Sequence, residues 1–168
     1  MRTNSVPALH VTANTTIDLS QAIAATWDTP STAADQGKGV YDGSKWAVVF
    51  KYSSVIIDAN RTLNFTNHPS HAPVVWLVSG DVTINGAINL SGAGSAISGS
   101  AVPGPGGFAG GYAQIPSVTS ASAGFGPGGG AFVGSADSSN GGSYTYGNSR
   151  VLPLIGGSGG SGAYGAAF

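Results

Sequence analysis

The 168-residue sequence contains no cysteine and no glutamate, and only 8% of its residues are charged. Without cysteine it can form neither a disulfide framework nor a thiolate metal site. Six Lys and Arg face seven Asp, a formal net charge of −1, so the chain lacks the basic footprint that nucleic acid or an anionic membrane would require. It also lacks any run of about 18 apolar residues, the minimum for a membrane-spanning helix. The start, "MRTNSVPALHVTANTT", has no apolar block followed by a small-residue cleavage site, and it is not expected to act as a secretory signal. Disorder is not expected either: 41% of the residues are apolar, whereas disordered chains are rich in charge and poor in apolar side chains.

What the chain has in excess is glycine, and it is unevenly spread. Only Gly37, Gly39 and Gly43 precede residue 80; the other 25 of the 28 glycines lie from Gly80 onward. Charge runs the other way, with only Asp137 and Arg150 beyond Asp81. This predicts three parts: an N-terminal anchoring segment with a short helix over residues 1–45, a β scaffold over 46–98, and a glycine-rich extended-helix region over 99–168.

In the first part, Leu19, Ile23 and Trp27 recur at four-residue spacing behind Asp18. That pattern predicts a helix of about two turns, capped by Asp18 or Ser20 and stopped by Pro30. A turn is expected at Asp42-Gly43. "WAVVFKYSSVIID", "RTLNFTN" and "APVVWLVSG" are rich in β-branched and aromatic residues and read as strands. Trp46, Val48, Phe50, Val75, Leu77, Val82, Ile84, Ile88 and Leu90 are the expected core. In "DVTINGAINLSG" the pair Val82/Ile84 is repeated by Ile88/Leu90 after Asn85-Gly86. The Asn-Gly step fits a two-residue hairpin, while the repeat fits successive rungs of a parallel β-helix with a polar ladder through Asn89 and Ser91. The expected fold class is therefore all-β: a short parallel β-helix-like or β-sandwich scaffold, then glycine-rich extended segments.

Those segments include "GPGGFAGG", "GFGPGGG" and "PLIGGSGG", and the chain closes on "GGSGGSGAYGAAF". There Gly156, Gly159, Gly162 and Gly165 fall at every third position. A three-residue period is that of a left-handed extended helix, and packed helices of this kind (polyglycine II-like) supply partners for each other's backbone amides. Because the period has no capping segment after it, the native product is expected to continue past Phe168.

Candidate chemistry is sparse. His68 and His71 in "HPSH" have a spacing that suits a metal on a helix, but Pro69 favours a loop. Asp58 and Asp81 bracket the strand region and could form a carboxylate pair for glycoside chemistry, but no further acids or bases gather round them. "GPGGFAGG" lacks the strand-turn-helix context of a phosphate loop. The triplets at Asn14, Asn60, Asn64 and Asn89 match glycosylation acceptors, but they read as turns and ladders. No catalytic, cofactor-binding or metal residue is assigned, and no enzymatic activity is expected.

The block "GKGVYDGSKWAVVFKYSSVII", then "NHPSHAPVVWLVSGDVTING", then the glycine clusters resembles glycine-rich structural proteins of tailed bacteriophages and related environmental bacterial proteins, over about residues 37–162. The clusters are also similar, more loosely, to the polyglycine-helix sandwich of phage tail-tip adhesins. The resemblance implies a virion tail fibre, spike or surface protein whose N-terminal part anchors and whose glycine-rich part projects towards the host. It implies docking onto baseplate, tail or capsid proteins, a homo-oligomer such as a trimer, and contact with a host receptor or glycan. Nucleic-acid binding and membrane insertion are not expected. A bacterial cell-surface or extracellular-matrix adhesin is the competing reading.

Overall fold

Ten short strands make up most of the regular structure described in the first ninety residues, and several alternate between buried and solvent-facing side chains. In β6 (Val55–Ile57), Val55 and Ile57 are fully buried and Ile56 between them is exposed. In β7 (Thr62–Thr66), Leu63 and Phe65 are buried and Asn64 lies between. This period of two follows from the pleat of a strand. The structure, a computed structural model, describes residues 6–28, 39–93, 102–111 and 122–130. The chain divides into two compact units, residues 1–90 and 91–168.

The first unit is all-β. Its other strands are β1 (Leu9–Val11), β2 (Thr15–Asp18), β3 (Ile23–Ala24), β4 (Val40–Asp42), β5 (Ala47–Tyr52), β8 (Val74–Val78), β9 (Val82–Ile84) and β10 (Ala87–Asn89). They form three sheets, ordered β1-β6-β9, β10-β7-β2 and β3-β4-β5-β8. The first two are wholly parallel. In the third, β4 and β5 form an antiparallel hairpin, and β3–β4 and β5–β8 are parallel. Strands from either side of residue 45 thus share the same sheets.

The chain visits these sheets in a repeating order. β5, β6 and β7 lie in the third, first and second sheets, and β8, β9 and β10 then lie beside them in the same sequence. The Asn85-Gly86 step accordingly joins strands of two different sheets and does not close a hairpin. It is a corner stacked on the corner below: Asn85 N–H donates to the Ile57 carbonyl at 2.9 Å, and Ala87 N–H to the Arg61 carbonyl at 2.8 Å. Gly86 fits because a Cβ there would overlap the Arg61 carbonyl oxygen. Gly80 meets the same constraint one corner earlier, where a Cβ would lie 2.5 Å from the Ser53 carbonyl oxygen.

The core is a cluster of Val11, Leu19, Val48, Phe50, Tyr52, Val55, Ile57, Leu63, Phe65 and Ala72, with Trp46, Trp76 and Ile88 partly buried against it. Of the expected core, Val48 and Phe50 are fully buried. Val75 and Leu77 are a correction: Val74, Trp76 and Val78 are the β8 residues that pack on the core, and Leu77 is 40% exposed. A continuous apolar run carries no parity, so the sequence could not say which set points inward. Val82, Ile84 and Leu90 are a second correction, being 49%, 48% and 56% exposed. Val82 and Ile84 stand in register with the buried Val55 and Ile57, but β9 is the last strand of its sheet, and among the described residues no further strand covers it.

The expected two-turn helix is also corrected. Residues Leu19–Gln21 form one turn of 3-10 helix, and Ile23 begins β3. Asp18 is the cap, its Oδ1 accepting from Ser20 N–H at 3.1 Å. Beyond that turn the parallel pairing of Ile23 with Val40 takes over the backbone.

In the second unit, the described glycine clusters are turns. Gly107 N–H donates to the Gly104 carbonyl at 2.9 Å, and Gly129 N–H to the Gly126 carbonyl at 3.0 Å. Both are Gly-Pro-Gly-Gly, with proline at the second position, where its fixed φ suits a β-turn as well as an extended chain. In the first, Gly106 has φ +74°, the type II requirement. Phe125 N–H donates to the Ala109 carbonyl at 3.1 Å, linking the two stretches. The period-three segment 156–168 lies outside the described residues.

Candidate functional site

The polar features of the first unit sit on its corners and turns, where the backbone leaves the sheets. The most connected is the turn between β7 and β8. His71 N–H donates to the His68 carbonyl at 2.8 Å, closing a four-residue turn through Pro69 and Ser70. Ser70 N–H donates to His68 Nδ1 at 3.1 Å, and Ser70 Oγ lies 2.6 Å from the same nitrogen. Asn67 Nδ2 lies 3.1 Å from His71 Nδ1. The His68 ring stacks on Tyr41 of β4 at 4.3 Å between centroids. Trp46, just before β5, donates its indole N–H to the Ser70 carbonyl at 2.9 Å.

Two residues here adopt left-handed backbone, Trp46 at φ 48° and His71 at φ 56°. For a bulky residue such as Trp this is unusual and is held only by surrounding contacts. Burial lowers the His68 pKa below its ordinary value, and the neighbouring charge of His71 adds to that. The two imidazoles therefore use their Nδ1 atoms within the turn. Among the described residues no group of three or more His or Asp is placed to hold a metal ion.

The other weighed pair is separated. Asp58 follows β6 and Asp81 precedes β9, and these strands pair in parallel with Val55 beside Val82. The two carboxylates therefore belong to opposite ends of the strand pair. At about 3.3 Å per residue they are roughly 13 Å apart along the strands, against about 5–9.5 Å for glycosidase pairs. Asp58 instead pairs with His10 across the β1–β6 corner at 2.9 Å.

Asn14, Asn60, Asn64 and Asn89 are corner and ladder residues. Asn14 Oδ1 accepts from Thr62 N–H at 3.0 Å, and Asn60 turns the chain at φ 61°. Asn89 Nδ2 donates to Asn64 Oδ1 at 2.9 Å, the expected polar ladder through Asn89.

Asp42 escaped the sequence reading as more than a turn residue. Only 2% exposed, its carboxylate accepts from Ser44 Oγ at 2.7 Å, Ser44 N–H at 2.9 Å, Trp27 N–H at 3.1 Å and Lys45 N–H at 3.3 Å. These bonds, the Ser44 hydroxyl first and the Trp27 amide next, hold its pKa below the ordinary 3.8. The Asp-Gly-Ser run carried the local half of this signal; the link to Trp27 follows only from the sheet.

An open depression of about 480 Å³ lies beside β8, lined by Val6, Lys51, Tyr52, Trp76, Leu77, Val78 and Ser79. Burial pushes the Tyr52 pKa up to about 12, so its phenol stays neutral. No helix among the described residues is long and apolar enough to cross a membrane. No protein-family model matches the sequence, and neither a curated protein nor a solved structure matches it.

Proposed function

We propose that the chain is a structural component of a bacteriophage virion, a tail fibre, spike or surface adhesion protein. The observation that carries this reading is the in-register stacking of β8, β9 and β10 on β5, β6 and β7. Each circuit offers the next one backbone edges, corner carbonyls and an asparagine row, the economy of an elongated scaffold. We read these sheets as the first circuits of a parallel β-helix. The closing glycine-rich segment, with Gly156, Gly159, Gly162 and Gly165 in step, is proposed to form a packed polyglycine II-like helix.

The resemblance to glycine-rich phage proteins supplies the virion, and the low charge fits docking onto other particle proteins or onto copies of itself, with a trimer preferred. Antibody against the chain tests the assignment. Immunogold label on purified particles, and co-sedimentation with them, is the expected result. Label confined to the envelope or matrix of uninfected cells would replace it with the bacterial adhesin reading. For the extended helix, Gly159→Ala should destabilise by about 1–3 kcal/mol through overpacking; an unchanged melting temperature would reject it.

A further inference from the structure

The geometry points to the His68–His71 turn as an acid-sensitive latch that fastens the β7–β8 connection to Trp46 and loosens when His68 takes up a proton. This goes beyond the structural role proposed above and does not depend on it.

The argument begins with the direction of each hydrogen bond. A backbone N–H can only donate, so the Ser70 N–H at 3.1 Å makes His68 Nδ1 an acceptor. The His68 ring is therefore neutral in the closed turn, with the proton on Nε2. Protonation puts a hydrogen on Nδ1, facing the Ser70 N–H, which cannot turn round. The Ser70 hydroxyl, 2.6 Å from the same nitrogen, can turn to accept that hydrogen, so the turn loses the Ser70 amide bond and keeps the hydroxyl one.

Among the described residues no carboxylate contacts His68. From β4 the group facing it is Tyr41, stacked on its ring, and from its own turn it is His71. On the β4–β5 turn that leads into Trp46, the carboxylate of Asp42 is committed to Ser44, Trp27 and Lys45, and Lys45 adds a further positive charge to that turn. Burial and the His71 charge both favour neutral His68, which agrees with the geometry.

The consequence reaches β5 through the Trp46 indole. Trp46 is held at φ 48° while its indole N–H donates to the Ser70 carbonyl. If the turn opens, that acceptor moves, and the left-handed backbone at Trp46 loses a restraint. The latch is closed above the ordinary histidine pKa of 6.5 and opens as the pH falls below it.

Nuclear magnetic resonance on the full chain tests this, following the hydrogen-exchange protection of the Ser70 and His71 amides and the Trp46 indole proton from pH 7.5 to 5. Protection is expected to fall roughly three- to tenfold, as for the loss of about one net hydrogen bond. The indole signal should move with the same midpoint. Asn places Oδ1 where His places Nδ1 and does not titrate, so His68→Asn should keep the Ser70 amide protected down to pH 5. Protection that is unchanged down to pH 5 in the wild-type chain overturns the latch. An acid transition in His68→Asn identical to that of the wild type overturns it as well.

Discussion

Asn89 donates from Nδ2 to Oδ1 of Asn64 at 2.9 Å, although 25 residues separate them in sequence. The pair is in register, Asn89 beside Asn64 in neighbouring parallel strands, and Asn64 continues the row by donating to the Thr15 carbonyl at 3.4 Å. Parallel in-register strands bring like residues together, so an amide that both donates and accepts can repeat from circuit to circuit. Truncating Asn64 removes both bonds at a solvent-accessible site, where water replaces them. Asn64→Ala should therefore cost about 1 kcal/mol in chemical denaturation. A loss above about 3 kcal/mol would mean that the ladder acts as a buried network rather than a surface row.

The corner at Gly86 gives a sharper test. A Cβ there would overlap the Arg61 carbonyl oxygen and lie 2.5 Å from that of Asp58, both backbone atoms fixed by the stack below. At Gly43 the nearest atoms are those of the Tyr41 ring, 3.8 Å away. Gly86→Ala should destabilise by about 1–3 kcal/mol, while Gly43→Ala should be neutral or stabilise by up to about 1 kcal/mol through the unfolded chain. Equal denaturation midpoints for the two variants would show that the corner relaxes freely.

These corners also mark how far the sequence could be read. The strands at 47–52, 55–57, 62–66, 74–78 and 82–84 were legible because β-branched and aromatic residues cluster there. Whether Asn85-Gly86 closed a hairpin or turned a corner was not, since both need the same local residues and differ only in which distant strand lies alongside. The apolar spacing of Leu19, Ile23 and Trp27 misled for a related reason: pairing with β4 outweighs the weak helical preference of a short segment. For the candidate sites, the His68–His71 loop was visible through Pro69. The contacts of Asp58 with His10 and of Asp18 with Thr66 join residues 48 apart and depend on register.

The last described circuit explains a difference between two equivalent isoleucines. Ile57 and Ile84 are partners in register, yet Ile57 is fully buried and Ile84 is 48% exposed. Ile57→Ala should cost about 2–5 kcal/mol, a transfer and cavity loss in the core. At Ile84 about half of the side chain already meets solvent and no closed cavity forms, so the same change should cost under about 1 kcal/mol. Comparable losses at both sites, measured at equal protein concentration, would show that β9 is covered in solution.

Acid stability should report on Asp42. Its pKa is lowered in the folded chain, so the folded state binds fewer protons than the unfolded one as the pH falls past the ordinary 3.8. The carboxylate's contribution is then complete above that value and lost as the pH drops through the lower folded value. Asp18, whose Oδ1 accepts from the Thr66 hydroxyl at 2.7 Å, is lowered in the same direction, so it adds to the same acid limb. Replacing one carboxylate leaves the other as an internal control. Asp42→Asn keeps an oxygen for the Ser44 and Lys45 amides but removes the charge and one acceptor. Urea denaturation of this variant should show lower stability at pH 7 and a shallower decline between pH 4 and 2, with Asp18 supplying what slope remains. If Asp42→Asn loses stability equally at pH 7 and pH 2, the four donors around Asp42 hold its shape and not its charge.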